Sequence, residues 1–390
     1  MNTNPYRATH GSSVVSPLSP NRIASAFGRT DGRTMLAALA LFAGVLSLSG
    51  CGASLDIKPD ADIAPNHLYM FAAITTPPTP TGVQAERVNL GRRLYYDTHL
   101  SENNTVSCNS CHLLNKYGAD GRPVSLGHNN KPGARNAPTV YNSGLEFVQF
   151  WDGRAKDLTA QAAGPMMNPV EMGNTGPEQV MTAVRSNPQY VHDLKQAFPN
   201  DANAVSFQNV TASIASFENG LQTPSRWDRY LQGDTNALTA EEKHGLQVYL
   251  RTGCEACHAG KDMGGNSYEQ LGAANRWADR SDPGRAQTTK QSRDTMFFKV
   301  PSLRNVDQTG PYFHDGHVKT LEEAVRLMGE HEAGTELSDS DIHAIVTFLH
   351  ALTGPIPSQY IQPPAPEKSI ATNAGHPNTG GAAHTAQGGL

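Results

Sequence analysis

Two short runs dominate any chemical reading of this 390-residue chain: Cys108-Asn109-Ser110-Cys111-His112 and Cys254-Glu255-Ala256-Cys257-His258. Two cysteines spaced by two residues and followed by histidine form the attachment pattern of a c-type haem. The sulfurs bond to the vinyl groups of the porphyrin, and the adjacent histidine ligates the iron. The chain has only 5 cysteines, the fifth being Cys51, so two chance copies of the pattern are negligible. A thioredoxin-like redox pair needs no following histidine. A four-cysteine zinc site would leave His112 and His258 as coincidences. Two haem c groups are therefore expected, held by Cys108, Cys111 and His112 and by Cys254, Cys257 and His258.

The remaining axial ligands decide between electron transfer and catalysis. Met263, Met296 and Met328 follow the second motif. Met263 lies too close in sequence to His258 to reach the opposite face of a ring. Met328 returns after a span suited to a cytochrome c domain, on the apolar face of a helix. A thioether there would raise the potential of that haem; simple core packing is the alternative. For the first haem, His128 and the group Met166, Met167 and Met172 are candidates, and the residues alone leave the choice open.

Helices must position these groups. LTAEEKHGLQVYLRTG leads into the second motif; Thr239 and Glu242 form a capping box, and Leu246, Tyr249 and Leu250 form an apolar stripe. Leu90, Leu94 and Tyr95 precede the first motif in the same way. Leu321, Ala324, Val325 and Met328 share one face of a later helix, and Ser338 to Leu352 reads as another. No alternating strand pattern stands out. With 36 glycines and 26 prolines, the expected fold is mainly α with long loops. The formal charge of −5 becomes −8 without the first 50 residues, and no basic patch points to nucleic acid.

The ends read as address and tail. Arg29 and Arg33 precede the apolar run Met35 to Gly50, which has the form of a secretory signal and is short for a spanning helix. Leu48-Ser49-Gly50-Cys51 looks like a bacterial lipobox, implying lipid attachment at Cys51 and a periplasmic, membrane-anchored protein. No Asp follows Cys51, which favours the outer membrane. Residues Gly52 to Gly82, with TTPPTPTG, read as a tether. The segment after Pro363 reads as disordered, and its His376 and His384 as solvated.

GHNNKPGARNAPTVYN, FWDGR, QAAGPMMNPVEMG, LRNVDQTGPYFHDG and TLEEAVRLMG occur in order around the two haem motifs. Together they resemble the bacterial dihaem cytochrome c peroxidases, across roughly residues 84–358. The resemblance implies two cytochrome c-like domains, at 84–222 (peroxidatic) and 223–362 (electron-transferring). They follow a signal peptide at 1–50 and a tether at 51–83, and precede a tail at 363–390. It implies that His128 caps the peroxidatic iron at rest and that Met328 ligates the second iron, with His314 beside that haem. Glu171 matches the acid–base carboxylate of the distal pocket, Gln161 and Pro165 its neighbours, and Trp151 a tryptophan between the haems. Asn136, with the carbonyls of Thr309 and Pro311, matches a calcium site.

The implied reaction consumes hydrogen peroxide and two reduced carriers, a small cytochrome c or cupredoxin, and yields two waters. A homodimer would be in keeping with the family. A dihaem electron carrier and a MauG-like cofactor-maturing oxidase are the competing readings. The Glu171 and Gln161 pocket that the resemblance implies argues against the first, since a pure carrier needs no acid–base group, and methionine rather than tyrosine at position 328 argues against the second.

Overall fold

Residues 91–95 and 245–249 both read Gly-x-x-x-Tyr, and Ser213-Ile-Ala-Ser-Phe217 has a counterpart in Ala344-Ile-Val-Thr-Phe348. The fold is built on that repetition. The computed structural model describes residue 63 and residues 68–365, all within one compact unit, Ile57–Leu390. In chain order the helices are α1 (Gly82–Tyr96), α2 (Cys108–Cys111), α3 (Leu158–Met167), α4 (Pro177–Ser186), α5 (Pro188–Ala197) and α6 (Phe207–Glu218). They continue with α7 (Arg226–Leu231), α8 (Ala240–Arg251), α9 (Ala286–Thr289), α10 (Leu321–His331) and α11 (Asp339–His350). Strands β1 (Tyr268–Gln270) and β2 (Phe297–Lys299) pair antiparallel, with Glu269 opposite Phe298. Short 3-10 turns and long loops make up most of the rest, as the glycine and proline content leads one to expect.

Two apolar cores form. In the first, α1 crosses α6, and Leu90, Leu94, Tyr95, Ile214 and Phe217 are buried together. In the second, α8 crosses α11 and buries Leu246, Tyr249, Ile345, Phe348 and Leu349. Each crossing is close because the entering helix presents glycine. A Cβ on Gly91 would overlap the carbonyl oxygen of Ser213, and one on Gly245 would overlap that of Ala344. The tyrosine one turn later meets the phenylalanine of the crossing helix: the rings are 5.4 Å apart for Tyr95–Phe217 and 5.3 Å for Tyr249–Phe348. Thr239 and Glu242 form the expected capping box at the start of α8.

The chain ends depart from the expected boundaries. Within the span read as a tether, Phe71 and Ile74 are buried. Phe71 stands edge-on to Trp227 at 5.3 Å, and the Ile74 N–H donates to Asp228 Oδ1 at 2.7 Å. At the other end, Tyr360 belongs by sequence to the second half, yet it stacks on Phe217 of the first core at 5.2 Å and donates to the Phe217 carbonyl. Each core is thus completed by residues from the opposite end of the chain. Phe71 sits in the short apolar run Leu68 to Ile74 and Tyr360 in a proline-rich stretch, and neither carries a helical or strand period that announces its partner. The signal-like run, Cys51 and the segment from 366 onward lie outside the described residues.

Candidate haem sites and the pocket between them

The two Cys-x-x-Cys-His runs fold alike. Each begins as a tight helical turn: the His112 N–H donates to the Cys108 carbonyl at 3.0 Å, and the His258 N–H donates to that of Cys254 at 3.0 Å. The tyrosine of the preceding helix then fixes the histidine backbone. Tyr95 Oη donates to the His112 carbonyl at 2.9 Å, and Tyr249 Oη to the His258 carbonyl at 2.6 Å. Each imidazole turns Nδ1 to a carbonyl, that of Gly118 for His112 and that of Met263 for His258, both at 3.3 Å. Burial lowers the pKa of both rings, that of His258 to about 4. A neutral ring with Nδ1–H held by a carbonyl presents an unprotonated Nε2, the form a haem iron requires. All four cysteine sulfurs are free of disulfide bonds.

A cavity of about 360 Å³ opens beside the second motif. Cys254, Cys257 and His258 line one side, with Met328, Phe298, Leu303, Val325 and Ile345 among its walls. The lining is mostly apolar, so a porphyrin fits both its chemistry and its attachment points. Met328, on α10, reaches the same cavity as His258. The other two methionines do not compete: Met263 is buried with its carbonyl on His258 Nδ1, and Met296 is buried with Leu271, Trp277 and Phe298. Trp151, His314, Asn136, Thr309 and Pro311 line this cavity too, so these expected neighbours are brought together.

Trp151 is hydrogen-bonded to residues of both halves of the sequence. Its indole N–H donates to the Asn136 carbonyl at 2.9 Å, the Asn136 N–H donates to the His314 carbonyl at 2.7 Å, and the His314 ring stacks on Phe298 at 4.4 Å. The Trp151 carbonyl accepts from the Lys299 N–H at 2.7 Å. Arg135 clamps this region through Asp152 at 2.8 Å and Asp282 at 2.6 Å, while Lys299 and Glu146 form a buried ion pair. Asn136 spends its amide N–H groups on the carbonyls of Arg122 and Pro123, at 3.0 and 3.3 Å.

Beside the first motif, α3 carries Gln161 and Pro165 and ends at Asn168. The loop that follows turns back on Asn168: its carbonyl accepts from Glu171 and Gly173, and its side chain accepts from the Val170 N–H. Asn168 Nδ2 donates to Glu171 Oε1 at 2.7 Å. Burial raises the Glu171 pKa, opposed by the positive charge of Arg154 and by that hydrogen bond. Arg154 lies over the Phe150 ring at 3.5 Å, so the FWDGR run supplies both Trp151 and the cation that tunes Glu171. Gln161 lies on α3, where its N–H donates to the Asp157 carbonyl at 2.9 Å. His128 lies against the Glu171 loop, its N–H donating to the Glu171 carbonyl at 2.8 Å. Gly127, beside it, is packed so closely that a Cβ would overlap the Val170 carbonyl.

The tyrosine hydroxyls, Asn168, Arg154 and the paired glycines were not among the expected functional residues. The repeated Gly-x-x-x-Tyr before each haem motif is the signal that marks the first and last of these.

Comparison with known proteins places these features in context. A family model described as di-haem cytochrome c peroxidase matches residues 85–236. The cytochrome c551 peroxidase of Pseudomonas aeruginosa is 43 % identical over 281 residues, covering 70 % of this chain and 81 % of that protein. That of Nitrosomonas europaea is 43 % identical over 279 residues, covering 71 % and 83 %. Among solved structures, a MauG-like protein associated with microbial copper homeostasis superposes with a TM-score of 0.65 at 29 % identity, covering 75 % of this chain and 97 % of that one.

Proposed function

Because the chain belongs to the dihaem cytochrome c peroxidase family, we propose that it reduces hydrogen peroxide to two waters with two electrons from a small reduced redox protein, a cytochrome c or cupredoxin. The observation that carries this reading is an asymmetry between otherwise matching halves. The first half sets a half-buried carboxyl with a raised pKa, Glu171, on a loop closed by Asn168. The second sets a thioether, Met328, in the wall of an apolar cavity.

Two cytochrome c-like domains, 84–222 and 223–362, would each hold one haem, through Cys108, Cys111 and His112 and through Cys254, Cys257 and His258. When bound, these groups supply single-electron storage and a binding position for a peroxide oxygen. Glu171 takes the proton from the inner peroxide oxygen and returns it to the outer one, making water the leaving group. A raised pKa suits a carboxyl that must hold and release a proton near neutrality. Gln161 orients the peroxide, and Trp151, held on Asn136 between the halves, bridges them for electron transfer. His128 would be the residue that closes the first haem at rest and would have to move away to admit peroxide. Two electrons and two protons are taken up per peroxide.

Asn136 Oδ1 with the carbonyls of Thr309 and Pro311 forms our candidate calcium site, supported by their shared cavity wall. The N-terminal pattern ending at Cys51 supports a periplasmic protein anchored to a membrane by lipid. A homodimer remains part of the reading on family grounds.

Replacing Glu171 by Gln keeps the hydrogen bond from Asn168 but removes the titrating proton. Peroxide turnover with reduced cytochrome c is expected to fall about 10²–10⁴-fold, with both haem spectra unchanged. Turnover within a few-fold of the parent would remove Glu171 from the mechanism.

A further inference from the structure

His128 is held by more than its own loop. Its ring fills the space left by Gly173, where a Cβ would come 2.7 Å from Cγ and 2.8 Å from Nδ1. Nδ1 is buried without a hydrogen-bond partner. Nε2 is 2.7 Å from Asn129 Nδ2 and 3.4 Å from Glu102 Oε2. Unprotonated at Nε2, the ring accepts from Asn129; protonated there, it donates toward Glu102, so either tautomer finds a partner.

Both partners are exposed, and each is tethered at one point. The Glu102 N–H donates to the Met172 carbonyl at 2.9 Å, tying it to the Glu171 loop. Asn129 Oδ1 accepts from Asn103 Nδ2 at 3.3 Å, and Asn129 adopts a φ of +56°, which aims its amide back at the neighbouring ring. Asn, unlike most residues, tolerates that conformation.

We propose that Glu102 and Asn129 form a holding site that receives the His128 imidazole when it is off the iron. This deepens the proposed function and rests on its assignment of His128 as the resting cap. A nitrogen engaged by Asn129 or Glu102 cannot at the same time bond to iron, so the holding site and the metal compete for the same atom. Two states that differ in the partner of one nitrogen are a switch, and whatever stabilises one partner shifts the population. Glu102 and Asn129 are positioning residues: they set how much of the first haem stands open and touch no substrate.

The test uses the holoenzyme reduced by one electron, with the capped and open first haem distinguished by low-spin and high-spin absorption and electron paramagnetic resonance. Glu102→Ala and Asn129→Gly (glycine keeps the positive φ) are each expected to raise the capped-to-open ratio roughly tenfold, the worth of one such hydrogen bond. Glu102→Gln should shift it less. In a His128→Gly background the same substitutions should change nothing. An unchanged ratio in both single variants, in an enzyme whose parent does convert, overturns the holding site. A ferric spectrum identical in parent and His128→Gly overturns the capping assignment itself, and the holding site with it.

Discussion

Glu218 supplies a prediction whose size follows from its surroundings. It ends α6 one residue after Phe217, is 4 % exposed, and its Oε2 has no hydrogen-bond partner. Burial pushes its pKa from 4.5 to about 8. The matching position in the second half is Leu349, in the wall of the haem cavity, so a carboxyl stands where the repeat calls for an apolar side chain. Between those two pH values the unfolded chain has lost this proton and the folded chain keeps it. Stability is therefore highest below about pH 4.5 and falls with rising pH, by up to about 1.4 kcal/mol per pH unit, before levelling off above about pH 8. The whole drop amounts to about 5 kcal/mol. Glu171, Glu332 and Asp262 are also raised by burial and slope the same way. The useful quantity is thus the difference between the parent and Glu218→Gln, measured by urea unfolding of the holoprotein from pH 5 to 9. That difference should grow in favour of the variant by about 2 kcal/mol from pH 6 to 8. A difference flat across this range would mean that the carboxyl finds a charge partner or water when ionised, and the burial reasoning would be wrong.

Gly245→Ala gains about 1 kcal/mol of helix propensity, yet its Cβ would overlap the Ala344 carbonyl and come 2.8 Å from Phe348 Cβ. A net loss of about 1–2 kcal/mol is expected from overpacking, read as a lower thermal midpoint. Gly133→Ala, whose Cβ would meet nothing closer than 3.5 Å, is the near-neutral control, and equal effects at both sites would remove the close-crossing argument. Met328→Leu conserves volume and should cost less than about 1.5 kcal/mol, while lowering the potential of the second haem in a redox titration. An unchanged potential would make Met328 core rather than ligand.

Much of the chemistry was legible in the residue order because it is local. Cys-x-x-Cys-His acts within one turn of chain, so spacing alone names the attachment atoms and the first ligand. The amphipathic stripes of α8, α10 and α11 are likewise short-range and came through, as did the capping box at Thr239. The roles proposed for Glu171, Trp151 and His128 rest on the family resemblance, because a carboxylate, an indole or an imidazole in a loop has no periodicity that separates a pocket from a solvated surface.

What tertiary structure decided is long-range. Gly91 and Gly245 are ordinary in sequence; only the carbonyl that each meets, from a helix about a hundred residues away, explains them. The buried Glu218 reads as an exposed helix end until α1 is laid across α6. The crossing of the chain ends, with Phe71 on the second core and Tyr360 on the first, depends on gaps left by other elements. Sequence order therefore marked the candidate attachment groups, since the two cysteines and the histidine of each motif lie a few residues apart. Packing between distant segments decided the rest: which nitrogen of His128 is engaged, how far burial raises Glu171, and which methionine shares a cavity with His258.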